Sequence, residues 1–405
     1  MPNKKHSRGS KFSTMHILSI LVLSFFLIFT SGCSKDNRIS DEEISILTQQ
    51  FQGGLQQIRD EYDIPGITAA FILPDDRVSS VAVGFSDVEG KIAMKPGDRM
   101  PSGSTGKTFV SALTILLAQE GKLGLDDKAQ KWLGGRDWFD RLPNGAELTV
   151  RMLLRHQSGI IEPYRVKETS EKIFGMLASD PDTDISPEEV ISFVLDREPL
   201  FEAGNGFNYS DSNYLLVGLI VEEAAQSSYY VELRNRILIP LNLEDTIPQD
   251  GQELPGLIPG YMNFLDIFGE GVTKTVKNGR MIYNPSFEWT GGGIVTTVGD
   301  LVRWAKLLYE GKLSTKPYLA ELLEHDPSLS NYGLGVFVHD TALGPVYGHR
   351  GIMPGYLTVM NYFADYGIAV AVQFNRDHDV GDLLAHAQSL AKIVIAHLPE
   401  VGSTK

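Results

Sequence analysis

A serine and a lysine stand three residues apart in the segment Ser104-Thr105-Gly106-Lys107. The apolar run from Thr105 to Glu120 predicts a buried helix. Residues three apart on a helix share a face, so Ser104 Oγ and Lys107 Nζ can point to one spot. A serine hydroxyl is a poor nucleophile at neutral pH and needs an adjacent base, which a neutral lysine can supply. The pair predicts a nucleophile and its base at a helix start, where free N–H groups favour a developing oxyanion.

A nucleotide-binding loop is an alternative interpretation of the same residues. The segment Gly103-Ser104-Thr105-Gly106-Lys107-Thr108 has the ending of a P-loop, whose backbone N–H groups hold phosphate. That loop needs a glycine five residues before its Gly-Lys pair, and this chain has Pro101 there. The preceding residues 97–100 also lack the pattern of a buried strand. These departures disfavour an NTPase.

Companion motifs follow Ser104 and Lys107 along the chain. One contains His156 and Ser158, the next reads Tyr209-Ser210-Asp211, and the last reads His349-Arg350-Gly351. In this order the motifs resemble the serine β-lactamase and penicillin-binding-protein superfamily. The branch is the one that holds class C β-lactamases, D-alanyl-D-alanine carboxypeptidases, D-aminopeptidases and related esterases. The resemblance covers roughly residues 44–398.

The resemblance implies a role for each matched position. Ser104 would be the acylated nucleophile and Lys107 its proton-accepting neighbour. Tyr209 would share the proton transfer and protonate the leaving group. His349 opens the third motif, and the backbone N–H of Ile352 would form the oxyanion hole together with the N–H of Ser104. This scheme requires no metal and no other cofactor.

Two positions depart from the pattern of the superfamily. Asp211 replaces the usual asparagine, and a carboxylate cannot donate a hydrogen bond to a substrate carbonyl. Beside Lys107, Asp211 should favour the protonated lysine and so shift the role of base toward Tyr209. His349 stands where the β-lactamases carry a permanently charged lysine. Both departures predict slow or absent turnover of β-lactams.

The sequence therefore predicts a serine hydrolase that acts through an acyl-enzyme on amides or esters. A D-amino-acid peptidase, a carboxypeptidase or an esterase fits best; a class C-like β-lactamase and a non-turnover penicillin-binding sensor are the alternatives. Asp211, Arg350 and Gly351 are the predicted substrate-binding residues. Arg350 can pair with a substrate carboxylate, or face away as the alternate side chain of a strand. His156 and Ser158 are interpreted as structural.

The elements that must position these residues predict an α+β fold. Strands are predicted near both ends of the chain, with mostly helices and loops from Leu125 to about Trp289. Hence the N- and C-terminal segments should share an antiparallel sheet flanked by helices, with an inserted, mostly helical lobe. The predicted strands are Ile67–Leu73, Val78–Gly84, Gly333–Val338, Tyr356–Phe363 and Ile368–Phe374, and the predicted outer helices are Ile44–Tyr62 and Val380–His397.

The first residues have the pattern of an export signal. Four basic residues precede an apolar run over 15–29, which is short for a membrane-spanning helix. Thr30-Ser31-Gly32-Cys33 resembles a bacterial lipoprotein cleavage box, although Thr30 replaces the usual leucine. We expect a signal peptide over 1–32, a lipid on Cys33 that binds the membrane, a tether over 33–43 and a domain over 44–398. An uncleaved anchor or ordinary secretion is the alternative.

Composition limits the partners further. Cys33 is the only cysteine, so the chain can form no intrachain disulfide and no cysteine-based metal site. The formal net charge of −15 argues against nucleic-acid binding. We expect a small-molecule or peptide substrate at the cell envelope, and the sequence leaves the oligomeric state open.

Overall fold

Strands that are buried on both faces form the centre of the fold. The computed structural model describes residues 38–263 and 271–399. In the first strand, Gly66–Ile72, Phe71 belongs to the core on one face of the sheet and Ala70 to the core on the other. The last strand, Ile368–Phe374, alternates in the same way and pairs antiparallel with the first. The N- and C-terminal segments therefore share one sheet, as predicted.

The strands of the described residues are numbered in chain order. They are β1 (Gly66–Ile72), β2 (Val78–Asp87), β3 (Ile92–Ala93), β4 (Met100–Pro101), β5 (Ile247–Pro248), β6 (Tyr261–Met262), β7 (Thr273–Lys274), β8 (Val276–Lys277), β9 (Arg280–Met281), β10 (Ile294–Thr296), β11 (Phe337–Thr341), β12 (Gly344–Met353), β13 (Tyr356–Phe363) and β14 (Ile368–Phe374). The main sheet has the order β11-β12-β13-β14-β1-β2-β3, and β4, β10 and β5 form a smaller sheet.

Helices flank the main sheet and fill the region between β4 and β5. They are α1 (Asp41–Glu61), α2 (Lys107–Gln119), α3 (Gln130–Leu133), α4 (Val150–Leu154), α5 (Lys167–Ser179), α6 (Pro187–Ser192), α7 (Asp211–Ala225), α8 (Tyr229–Leu233), α9 (Val298–Tyr309), α10 (Leu319–Leu323) and α11 (Leu383–Ile395). α1 and α11 pack together on one face of the sheet, and α9 packs on the other. The fold is α+β, with the predicted helical region inserted between strands.

Helix α2 lies against α7 inside the helical region. Ten of its residues are buried, from Lys107 to Leu117, as the apolar run predicts. Burial on nearly every side fixes the start of α2. The residues at that start, and those just before α7, are therefore held in place by the same core.

Two of the differences between the structure and the predicted boundaries have a clear local cause. The predicted strand Gly333–Val338 is wrong, because Gly333 donates its N–H to Val336 and Gly335 has φ of +74°, which together close a turn. The strand there is β11, which begins at Phe337. α1 begins at Asp41 rather than Ile44, because Ser40 and Glu43 form a capping box.

Two predictions fall on the N-terminal segment. The signal peptide over 1–32 and the lipid on Cys33 lie outside the described residues. Of the predicted tether, the last residues already belong to α1. Within the ranges 38–263 and 271–399, no helix combines the length and the apolarity that a membrane crossing requires.

Candidate active site

Ser104 lies in a 3-10 turn, Gly103–Gly106, that leads directly into α2. Its side chain borders a cleft, and the residue is 9% exposed, whereas Lys107 is fully buried. Lys107 Nζ donates a hydrogen bond to Ser104 Oγ at 3.0 Å. The spacing of three residues therefore brings the two side chains together as predicted. Ser104 belongs to the 3-10 turn, however, and not to the α-helix itself.

Lys107 has two further partners besides Ser104. Its Nζ donates to the carbonyl oxygen of Gly291. Asp211 Oδ1 lies 2.5 Å from Nζ and forms an ion pair with it. Burial on its own would lower the pKa of Lys107, but the charge of Asp211 raises that pKa well above its usual range. Lys107 is therefore an ammonium in the free protein.

Two buried glutamates accompany Asp211 around this lysine. Glu162 accepts the backbone N–H of Asp211 at the start of α7, and Glu288 lies in the 3-10 segment Pro285–Gly291. Burial, followed by the charge of Asp211, raises the pKa of each glutamate to about 8. Both are thus neutral acids at neutral pH. The sequence analysis missed them, because no local pattern marks either residue and only the fold brings them to Lys107.

Tyr209 stands two residues before α7, with the centre of its ring 5.1 Å from Lys107 Nζ. Its hydroxyl is buried and has no hydrogen-bond partner among the described residues. Burial raises the pKa of Tyr209 well above its usual value, and the nearby charge of Lys107 opposes this only in part. Tyr209 therefore remains a phenol, which can donate a proton but is a poor base. The predicted shift of the base role to Tyr209 does not fit this environment.

The ring of His156 packs against the ring of Tyr209. The two rings lie 4.1 Å apart between centres. His156 Nδ1 accepts the backbone N–H of Ser210 at 3.2 Å and contacts the Asn213 side-chain amide at 3.1 Å. Because Nδ1 accepts a backbone N–H, the ring carries its proton on Nε2. His156 therefore fixes the segment that holds Tyr209 and Asp211, which agrees with its interpretation as structural.

The third motif lies on β12, at the edge of the cleft. His349 Nδ1 lies 2.7 Å from the carbonyl oxygen of Arg350, so this nitrogen carries the proton. Nε2 then accepts the hydroxyl of Tyr332 at 2.9 Å. Burial, followed by the charge of Lys107, lowers the pKa of His349 to about 3. His349 is therefore neutral, and both of its ring nitrogens are engaged within the protein.

Gly351 and Ile352 bring β12 against the turn that carries Ser104. β11 pairs with β12 only as far as Gly348, so the rest of this edge faces the 3-10 turn. A Cβ atom on Gly351 would lie 2.9 Å from the backbone nitrogen of Ser104. A Cβ atom on Gly103 would lie 2.7 Å from the backbone nitrogen of Ile352. The two nitrogens predicted for the oxyanion hole thus lie on two segments in close contact.

A cleft of about 540 Å³ opens above Ser104. The guanidinium carbon of Arg350 lies 5.6 Å from the centre of the Phe337 ring on its wall, and Arg165 borders the cleft as well. Neither arginine pairs with a carboxylate among residues 38–263 and 271–399. The complete lining is Ser104, Arg165, Phe207, Asn208, Tyr209, Phe337, His349, Arg350, Gly351, Ile352, Leu357 and Leu383. Asp211, predicted to bind substrate, is not among these lining residues, and its Oδ1 contacts Lys107 Nζ.

Comparison with known proteins identifies the family to which the chain belongs. The sequence model of the protein family named Beta-lactamase matches residues 51–394. The chain belongs to this family. It is similar to penicillin-binding protein 4* of Bacillus subtilis (strain 168), with 25% identity over 311 residues, which are 73% of this chain and 65% of that protein. The alignment thus spans slightly less than two thirds of that relative.

Solved structures of similar fold include two amide hydrolases. A D-stereospecific amidohydrolase from Streptomyces sp. superposes with a TM-score of 0.70 at 25% identity, covering 87% of this chain and 98% of the other. The D-amino acid amidase from Ochrobactrum anthropi SV3 superposes with a TM-score of 0.69 at 24% identity, covering 87% and 97%. This member of the Beta-lactamase family therefore has the fold of penicillin-binding protein homologues and D-amino acid amidases, which are serine hydrolases.

Proposed function

We propose that this protein hydrolyses an amide or ester bond next to a D-amino acid through an acyl-enzyme on Ser104. The observation that carries the proposal is the 3.0 Å hydrogen bond between Lys107 Nζ and Ser104 Oγ at the floor of the cleft. A hydroxyl held by an adjacent amine is the arrangement that an activated serine nucleophile needs. The backbone nitrogens of Ser104 and Ile352 would stabilise the oxyanion.

The reaction would run in two stages. Ser104 Oγ attacks the substrate carbonyl, and its proton moves to Lys107, which gives up one of its own ammonium protons in exchange. The tetrahedral intermediate then collapses, and the phenol of Tyr209 protonates the leaving amine or alcohol. Water next attacks the acyl-enzyme and gives its proton to the Tyr209 phenolate; the acid leaves, and Ser104 Oγ regains a proton from Lys107.

One feature favours a D-amino-acid amide, peptide or ester over a β-lactam. A neutral His349 supplies no positive charge at the third motif, where the β-lactamases carry a lysine. The guanidinium groups of Arg350 and Arg165, which pair with no carboxylate among the described residues, fit a substrate that carries a carboxylate, as a peptide and a β-lactam both do. Similarity to a D-stereospecific amidohydrolase supports the D-configuration. A class C-like β-lactamase and a penicillin-binding sensor are the competing functions.

Steady-state rates on three substrates test this proposal. We expect hydrolysis of a p-nitrophenyl ester and of a D-Ala-D-Ala peptide, with slow or absent turnover of nitrocefin. Reversing the charge of Arg350 with Arg350→Glu should raise KM for the peptide and leave KM for the uncharged ester nearly unchanged. A nitrocefin kcat/KM near about 10⁶ M⁻¹s⁻¹, with the other two substrates inert, would show a β-lactamase instead.

A further inference from the structure

Lys107 must give one of its protons to another group before it can accept the proton of Ser104. Lys107 Nζ has three partners, and its ammonium has three protons to offer them. The carbonyl oxygen of Gly291 is too weak a base to take one, and Ser104 is the group to be deprotonated. Asp211, whose Oδ1 lies 2.5 Å from Nζ, is the only contacting group that can accept a proton.

Other ionisable groups near Asp211 are poor alternatives. Tyr209 is a phenol, and Glu162 and Glu288 already carry their protons at neutral pH. None of these three has its oxygen in hydrogen-bonding contact with Nζ among the contacts of the described residues. The charged or titratable groups that face Asp211 are Lys107 of α2, Glu162 and Tyr164 of the segment before α5, Tyr209 and Tyr214 at the start of α7, and Glu288 of the 3-10 segment before β10.

We propose that Asp211 accepts a proton from Lys107 while Lys107 accepts the proton of Ser104, so that two protons move together during the attack. This inference rests on the proposed function. The Oγ–carbon bond forms, the carbonyl electron pair becomes the oxyanion, the serine proton moves to Nζ and one Nζ proton moves to Oδ1. One negative charge thus leaves Asp211 as one appears on the oxyanion, and Lys107 stays an ammonium between them.

The return of the proton balances the cycle. When the intermediate collapses, the carbonyl re-forms, the bond to the leaving group breaks, and Tyr209 gives that group its proton. In deacylation the phenolate of Tyr209 takes the proton of the attacking water, and the proton on Asp211 returns through Lys107 to Ser104 Oγ as the acyl bond breaks. An asparagine at this position could hold Lys107 but could not store a proton. The aspartate at residue 211, in place of the usual asparagine, is therefore the base that finally holds the serine proton.

The pH profile of Asp211→Asn separates this role from simple charge pairing. With the carboxylate gone, only neutral Lys107 can serve as base, so the acid limb of kcat/KM for a p-nitrophenyl ester should move to higher pH. Activity below the new limb should fall about tenfold for each pH unit and recover above that limb. If Asp211 merely keeps Lys107 charged, its removal lowers the pKa of Lys107 and the acid limb moves down. Glu253→Gln, the same chemical change at an exposed position outside the site, should leave the limb in place.

A solvent isotope measurement on the wild-type protein provides a second test that needs no variant. A p-nitrophenolate leaving group needs no proton, so only the attack step moves protons. The plot of kcat/KM against the D₂O fraction should curve, because two protons move together; a straight line, or an acid limb that is unchanged or lowered in Asp211→Asn, overturns the inference. If the wild-type protein is acylated on Ser104 at no pH, the proposed function fails as well, and intact-mass analysis distinguishes the two failures.

Discussion

Replacement of the buried Glu288 by glutamine should change how stability depends on pH. Glu288 is 6% exposed, and its pKa is raised from 4.5 to about 8 by burial and then by the charge of Asp211. Between these two values the folded protein keeps a proton that the unfolded chain releases. The wild-type free energy of unfolding must therefore fall as pH rises through this window, and it loses no more once Glu288 is ionised in both states.

The size of the effect follows from the same shift. One pKa unit corresponds to about 1.36 kcal/mol, so the rise from 4.5 to about 8 is worth roughly 4 to 5 kcal/mol over the whole window. About 3 kcal/mol of this falls between pH 5.5 and pH 8. Glutamine has nearly the same shape and does not ionise. Relative to wild type, Glu288→Gln should gain about 3 kcal/mol over that interval.

Urea unfolding followed by circular dichroism at pH 5.5, 6.5, 7.2 and 8 measures this difference by linear extrapolation. Glu253→Gln is the matched control, because Glu253 is exposed and the same chemical change there should give no pH-dependent difference. A stability difference between Glu288→Gln and wild type that stays constant across these pH values would refute the reasoning.

Three further predictions concern β12, its partner and the N-terminus. Gly351→Ala would put a methyl group 1.9 Å from the backbone carbonyl oxygen of Ser102, so kcat/KM should fall about 100-fold or more as the oxyanion site is displaced. Gly175→Ala, in open space, should have no such effect in the same assay. Tyr332→Phe leaves Nε2 of buried His349 without its donor and should cost about 1 to 3 kcal/mol in urea unfolding; an unchanged midpoint would contradict that bond. We propose lipidation of Cys33, so Cys33→Ala should release the protein from membranes, since each buried methylene contributes about 0.8 kcal/mol; an unchanged membrane fraction would reject it.

Much of the fold could be predicted from local patterns. β13 and β14 have the predicted bounds, because their apolar residues and the turn between them are continuous in the sequence. The position of β11 could not be predicted, since the glycines at 333 and 335 form a turn whose φ values the sequence does not specify. Local pattern therefore identified four of the seven strands of the main sheet and misplaced the one next to a glycine turn.

The site was only partly predictable. Ser104 and Lys107 are neighbours in sequence, and helical spacing alone brings them together. Glu162 and Glu288 come from distant segments, so their pKa values depend on burial that exists only after folding. The neutral state of His349 likewise depends on its burial and on the charge of Lys107, which lies on a different segment of the chain.

Intact-mass analysis of the protein mixed with a p-nitrophenyl ester, quenched in acid at short times, tests the central role of Ser104 most directly. Wild type should gain the mass of one acyl group, and peptide mapping should place that group on Ser104. Ser104→Ala should fold normally and gain nothing, because the substitution removes one oxygen at the edge of the cleft. Acylation of Ser104→Ala to the wild-type extent, or turnover of the ester by that variant at the wild-type rate, would contradict the account.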